Sequence, residues 1–564
     1  LSVLLLSGPE NQYHSICDFP AHEIHMKEKE LRLALVFFGG VSLAIYEHGI
    51  NREILNLVRA SKLYHSRPTQ CAIDGDGVTR EPLPTFHSVY DDEPMQSTGD
   101  IYARLLEQVG EKLALRVIVD VISGASAGAI NGIALARAVA HDLSLAPLTD
   151  LWLTETDMLK LLAPEAKARA WSKWYFWPFI SPTLKRLHQE GLIPGDLDAE
   201  MQNRLSVFLR SRWFKPPLNG PYLTASVFDG LEAMEKTHPA GGTLLPAGTR
   251  LDLLVTATDF RGLDRLIFIH NPPVVREREH RHLFRFGVEH HKAGRLQSDV
   301  DLDGVPSLAF AARASASYPG AFPPAQLREI DDFLATRHRH WSTRAQFLTH
   351  NFSRYLDQGK NPDEAVLVDG SVLDNKPIMA TIEVIRTHSA YREVDRRLVY
   401  IDPHSWTDKP NTAMHVPGFF TTLRGALSDL PRTDPIYNEL ADISRYNTLT
   451  RRLKETIIDA RPQVAELIQR ATNGKAGEKF SVGDLQHWRL NAANMLAIQP
   501  IIYDPWLRSL VLEAVDFVAS LISGACSFAA DSAQAQRVQF AVEQWARNHA
   551  LVLPSYSIPV DTHS

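Results

Sequence analysis

The chain has 564 residues, with 59 Lys and Arg against 66 Asp and Glu, a formal net charge of −7, and 45% hydrophobic residues. That profile excludes the disordered, collagenous and disulfide-dense classes, and the mild acidity gives no basic footprint for nucleic acid. Three cysteines, Cys17, Cys71 and Cys526, stand far apart and odd in number, without the spacing of zinc or redox sites, which points to a reducing compartment.

Residues 1–30 read as an N-terminal extension. Leu1 to Leu6 is apolar but has no basic flank, so a cytoplasmic protein is expected, while the absence of an initial Met leaves secretion open. The run Leu31 to Phe38 is a strand, followed at once by Gly39-Gly40 and a helix through about Ala60. Pro, Asp, Gly and Ser dominate from about 65 to 98, the composition of a loop insertion. A helical segment, Asp100 to Ala114, leads into the buried strand Arg116 to Ile122, and after Gly124-Ala125-Ser126-Ala127-Gly128 an alanine-rich helix follows. This alternation predicts a mainly parallel sheet with helices on its faces.

Three later strands are predicted at Leu251 to Ala257, Ala365 to Val368 and Arg397 to Ile401, followed by Asp259, Asp369 and Asp402. Ligands gather at the carboxyl ends of strands in open α/β sheets, so each acid is a positional candidate. Beyond about Ala413 helical segments take over, at Ser444 to Ile458, Pro462 to Thr472 and Leu507 to Leu521. The weakly polar stretch Phe517 to Ala530 falls short of the ~20 residues that span a bilayer.

Gly124-Ala-Ser126-Ala-Gly128 matches the nucleophile elbow, G-x-S-x-G, between a β-branched strand and a helix. A sharp turn there pushes the serine hydroxyl out at a helix N-terminus, and the glycines let strand and helix approach. Acyl transfer also needs backbone donors for the oxygen that becomes negative, and Gly39, Gly40 and Val41 stand where a strand gives way to a helix. For the base, Asp369-Gly370 directly follows a buried strand, although Asp-Gly alone is a common turn dipeptide. His404, just beyond another strand, is the rival partner for a triad.

With these residues the chain resembles the patatin-like phospholipase family, in particular its bacterial members. The resemblance rests on the ordered motifs Gly39-Gly40, Gly124 to Gly128 and Asp369-Gly370, with further matching blocks at Leu253 to Asp259 and Ala311 to Pro324, and covers about Leu31 to Pro403. It implies a three-layer α/β/α domain over residues 31–410 and an appended helical region over 411–564. It also implies a Ser126–Asp369 dyad with no histidine, acting on lipid esters through an acyl-enzyme and needing no cofactor. Two features depart from the family pattern: the loop reads Gly40-Val41-Ser42-Leu43, without the usual third glycine and nearby basic residue, and Ser371 stands where Gly or Ala is usual. A soluble carboxylesterase or thioesterase, and a degenerate module that binds a membrane or partner, remain as alternatives.

Trp171, Trp174 and Trp177 lie among further aromatics beside Lys160, Lys167, Arg169 and Lys173. The segment reads either as a packed helix–loop joint or as a peripheral membrane contact. Histidines concentrate at His270 to His291 without metal-site spacing, so no metal is expected, and the basic residues Arg276 to Arg285 read as a solvated strand face.

Overall fold

A computed structural model describes residues 2–4, 27–40, 44–66, 85–90, 98–110, 113–155, 158–164, 216–237, 242–269, 272–291, 295–300, 302, 304–390, 392–402, 436–475, 480–498, 503–526, 528 and 532–549. Among the described residues eight strands form one sheet: β1 (Ser2–Leu4), β2 (Lys27–Phe37), β3 (Leu113–Gly124), β4 (Thr249–Phe268), β5 (Val274–His290), β6 (Leu296–Val300), β7 (Leu367–Asp369) and β8 (Glu393–Ile401). The order is β1-β8-β2-β3-β4-β5-β6, with β7 paired to β4. The centre, β8-β2-β3-β4, is parallel, and β1, β5, β6 and β7 pair antiparallel around it. Part of the N-terminal extension therefore belongs to the sheet, since Ser2–Leu4 pairs with Leu398 to Tyr400.

Alternation along the strands sorts side chains between two layers. Leu33, Leu35 and Phe37 of β2, with Leu251, Leu253, Val255 and Ala257 of β4, enter the main core. That core is covered by α1 (Ala44–His65), α2 (Gly99–Val109), α3 (Ala127–His141), α4 (Gly220–Glu235) and α5 (Val305–Ser315). On the opposite face Ala34, Val121 and Leu254 pack against Val384 of α6 (Ile378–Ile385). The three layers are thus unequal, with a thick helical layer on one side and a thin one on the other.

The thin side carries a buried charge cluster that the sequence reading did not anticipate. Between Leu33 and Ala34 the β2–β3 register slips, leaving Asp120 as the extra residue of a bulge. Asp120 accepts from both terminal nitrogens of Arg396, at 2.8 and 2.7 Å. His388 bridges it to Asp252, with Nδ1 3.3 Å from Asp120 and Nε2 2.7 Å from Asp252. Both ring nitrogens face carboxylates, so both donate and the ring is an imidazolium. Burial works against that charge, but the hydrogen bonds and charges of the two aspartates outweigh it and raise the His388 pKa. The contribution of such a group is complete below its unfolded pKa of about 6.5 and fades as pH rises through the raised folded value. His388→Ala is therefore expected to cost about 3 kcal/mol at about pH 6, and less in alkaline buffer. Urea unfolding at both pH values checks this; an equal deficit at both would refute it.

The chain divides into two compact units, the first ending at Glu439 and the second running from Leu440. The helices of the latter part are α7 (Tyr437–Thr472), α8 (Val482–Ile498), α9 (Tyr503–Ala525) and α10 (Ala533–Asn548), and α9 and α10 pack through Val515 and Ala546. Two expected helices are one here, because α7 passes through Pro462. A proline removes a single ladder bond and kinks or breaks a helix, and here the helix continues on both sides of it.

Candidate active site

Strand pairing brings Ser126 and Asp369 together. β3 pairs with β4 as far as Gly124 opposite Val255 and then leaves the sheet at the elbow. β5 occupies the other edge of β4 along this stretch. The vacated edge is taken two residues on by β7, running the opposite way with Asp369 opposite Ala257. Two chain segments 243 positions apart thus end against each other, and Ser126 Oγ donates to Asp369 Oδ2 at 2.8 Å with no ring between them. Both are buried: Ser126 is 3% exposed and Asp369 0%.

Ser126 has φ 54° and ψ −124°, a backbone conformation that costs a non-glycine residue about 1–3 kcal/mol. The surrounding contacts hold it there. Its N–H donates to Ser315 Oγ at 2.9 Å, at the end of α5, and Ala125 N–H donates to Phe37 O at 3.2 Å. Helix α3 starts hard against the sheet: a Cβ on Gly124 would meet Gly128 O at 2.6 Å, and one on Gly128 would meet Phe37 O at 2.7 Å. These two glycines are therefore required by contact.

Asp369 is held as firmly. Its second carboxylate oxygen, Oδ1, accepts from Ser371 N at 2.8 Å, its N–H donates to Ser317 O at 3.0 Å, and its carbonyl accepts from Thr258 Oγ1 at 2.9 Å. A Cβ on Gly370 would overlap Thr256, which explains the glycine after the acid. Ser371, the departure from the family pattern, does not disturb this arrangement, since it is the backbone N–H that binds Asp369.

At the end of β2, Gly39 N–H donates to Asn375 Oδ1 at 2.9 Å. A Cβ on Gly39 would come 2.5 Å from that oxygen and 3.2 Å from Ser126 Cβ, so the glycine loop passes directly over Ser126. Gly40 follows it, and Val41 lies outside the described residues. Ser315 and Ser317 belong to a sequence block that carries the resemblance, and Asn375 lies five residues beyond Asp369-Gly370, yet none had an assigned role. Their partners are backbone groups 189, 52 and 336 positions away, and no local pattern encodes such a contact.

Close to this loop the first turn of α1 carries Glu47, fully buried. Burial, opposed by a hydrogen bond from Asn131 and assisted by the charge of Asp402, pushes its pKa up to about 8. His48 beside it falls to about 4 through burial and the charge of Arg52. Both are neutral at pH 7, so neither adds charge to the start of α1. Of the other two candidate acids, Asp402 directly follows β8 and acts on Glu47, whereas Asp259 is engaged structurally, accepting from Tyr355 Oη and from Arg261 N at 2.9 Å. His282 packs among Phe284 and Phe352, and burial lowers its pKa to about 4. His404, Trp171, Trp174 and Trp177 lie outside the described residues.

A family model described as patatin-like phospholipase matches residues 101–382, half of the chain. The chain belongs to the patatin-like phospholipase family. The match includes Ser126 and Asp369, and Gly39 and Gly40 precede it. Patatin-like phospholipases are lipid acyl hydrolases, and the mixed sheet flanked by helices is their fold. The uncharacterized membrane protein Rv3479 of Mycobacterium tuberculosis is 27% identical over 401 residues, which make up 67% of this chain and 28% of that protein. The chain thus spans little more than a quarter of that relative's length. No solved structure matches. Among the described residues no helix is long and apolar enough to cross a membrane.

Proposed function

We propose that the chain cleaves fatty-acyl esters of glycerophospholipids through a Ser126–Asp369 dyad and an acyl-enzyme. The observation that carries this reading is the direct hydrogen bond from Ser126 Oγ to Asp369 Oδ2, 2.8 Å long, at a strained strand-to-helix elbow. In it Asp369 takes the Ser126 proton as Oγ attacks the ester carbonyl. The oxyanion of the tetrahedral intermediate lies under the Gly39–Gly40–Val41 loop. Because the Gly39 amide is engaged by Asn375, the donating role falls to the amides of Gly40 and Val41. Collapse of the intermediate returns the proton from Asp369 to the leaving lysolipid oxygen. Asp369 then activates a water that hydrolyses the acyl-serine, releasing the fatty acid.

A fluorophosphonate is expected to label Ser126, identified by peptide mass, and the chain is expected to release fatty acid and lysolipid from mixed phospholipid vesicles. Labelling with turnover of short-chain esters alone would replace the phospholipase reading with a soluble esterase. Folded chain that neither labels nor turns over would overturn the enzymatic reading altogether.

A further inference from the structure

Strand β4 does not stop at the dyad. Its pairing with β7 ends at Asp259, yet it runs on to Phe268 and returns as β5 from Val274. The register slips between Thr258 and Leu263, where Gly262 takes φ 69° and forms a bulge. Beyond it stands a two-stranded ribbon, and cross-strand partners share a face. Phe268 pairs with Val274, Leu266 with Arg276 and Asp264 with Arg278, while Ile267 pairs with Val275 on the other face. The outer end of the ribbon is therefore apolar on both faces, and charge begins one pair behind it.

These side chains are left in water. Phe268 is 78% exposed, Leu266 51%, Ile269 44% and Val274 41%. A two-stranded ribbon has no core to bury them, so the end gains free energy only when something covers it. Its charge says what. Residues 260–281 hold five arginines against three acids, a positive segment in a chain of net charge −7. At about 3.3 Å per residue the level of Leu266 and Arg276 lies about 7 Å behind Phe268. That matches the about 5–10 Å to which interfacial elements bury an apolar face beneath the phosphates. A basic group at that level meets lipid phosphate, and each contributes about 1 kcal/mol on an anionic surface.

We propose that the end of the β4–β5 hairpin is a docking surface for an anionic phospholipid bilayer. Phe268, Ile269 and Val274 enter the acyl boundary and Arg276 meets the phosphates, while Arg278, in an ion pair with Asp264, stands one step behind it and adds to the positive field. The hairpin continues the strand whose Ala257 pairs with Asp369, so docking turns the dyad-bearing end of the sheet toward lipid. The choice of a lipid partner rests on the lipid-ester reading above.

The test uses the full chain, vesicles of phosphatidylcholine alone or with an equal part of phosphatidylglycerol, and a water-soluble butyrate ester. The parent is expected to float with the anionic vesicles and to bind the neutral ones more weakly. The double variants Phe268→Ser/Val274→Ser and Arg276→Glu/Arg278→Glu are each expected to lose about ten-fold or more of that binding, while hydrolysing the butyrate ester at the parental rate. The second pair leaves the apolar residues intact, so it reports on docking independently of any loss of packing in the first. Vesicle binding by both variants equal to the parent overturns the proposal. So does a parent that binds neither vesicle, which would make a protein the occupant of this surface. A chain that binds anionic vesicles through the hairpin but hydrolyses no ester overturns the catalytic reading and leaves the docking surface standing.

Discussion

Asp369→Asn is expected to lower ester hydrolysis by about 10⁴-fold while leaving the fold intact. General-base catalysis contributes about 10²–10⁴, and in a dyad there is no second group to share the proton. The amide is nearly isosteric and its oxygen still accepts from Ser371 N–H, which now binds Oδ1 at 2.8 Å. The loss therefore comes from proton acceptance rather than from a displaced loop. The Thr258 and Ser317 contacts run to the backbone of residue 369 and survive the change. Fluorophosphonate acylation should slow by the same factor as turnover, because the base is needed to form the acyl-enzyme. An Asp369→Asn variant that keeps more than about a tenth of parental activity would show that another residue serves as base, with His404 the first to replace. Thermal melting of both proteins separates loss of chemistry from loss of structure.

Much of this site was legible because its parts are punctuated locally. Gly39-Gly40, the Gly124 to Gly128 elbow and Asp369-Gly370 each stand where a buried run of strand residues stops, and that boundary is written in a handful of neighbouring positions. What joins them is not. β7 is three residues long, and the register that sets Asp369 against Ala257 depends on β3 leaving the edge of β4 free, a consequence of the whole sheet. β4 itself reads as a strand ending at Ala257; it continues because it is paired with β5, with one side open to water. Asp120 reads as an unremarkable polar residue in a buried strand, and only the bulge aims it at His388 and Arg396. In α7 the helical periodicity on both sides of Pro462 was readable, but its continuity through the proline was not.

The oxyanion loop offers the second large effect, and it separates positioning from chemistry. Asn375 touches no reacting atom in the proposed mechanism; its Oδ1 holds the Gly39 N–H, and that mechanism has the donors that follow aimed from this anchor. Asn375→Leu keeps the side-chain volume and removes the acceptor, leaving a buried N–H unpaired at a cost of about 1–3 kcal/mol. The loop then relaxes toward another acceptor and its donors lose their aim. Misplacing one oxyanion donor costs about 10²–10³ in turnover, so kcat is expected to fall by about that factor with KM little changed, since ground-state binding does not use these amides. Gly39→Ala attacks the same anchor from the other side, because its Cβ would lie 2.5 Å from Asn375 Oδ1. If both act through one hydrogen bond, the double variant costs little more than either single one. Independent, additive losses would mean that Gly39 serves catalysis in its own right, and an Asn375→Leu enzyme within about three-fold of the parent would mean that the loop needs no anchor.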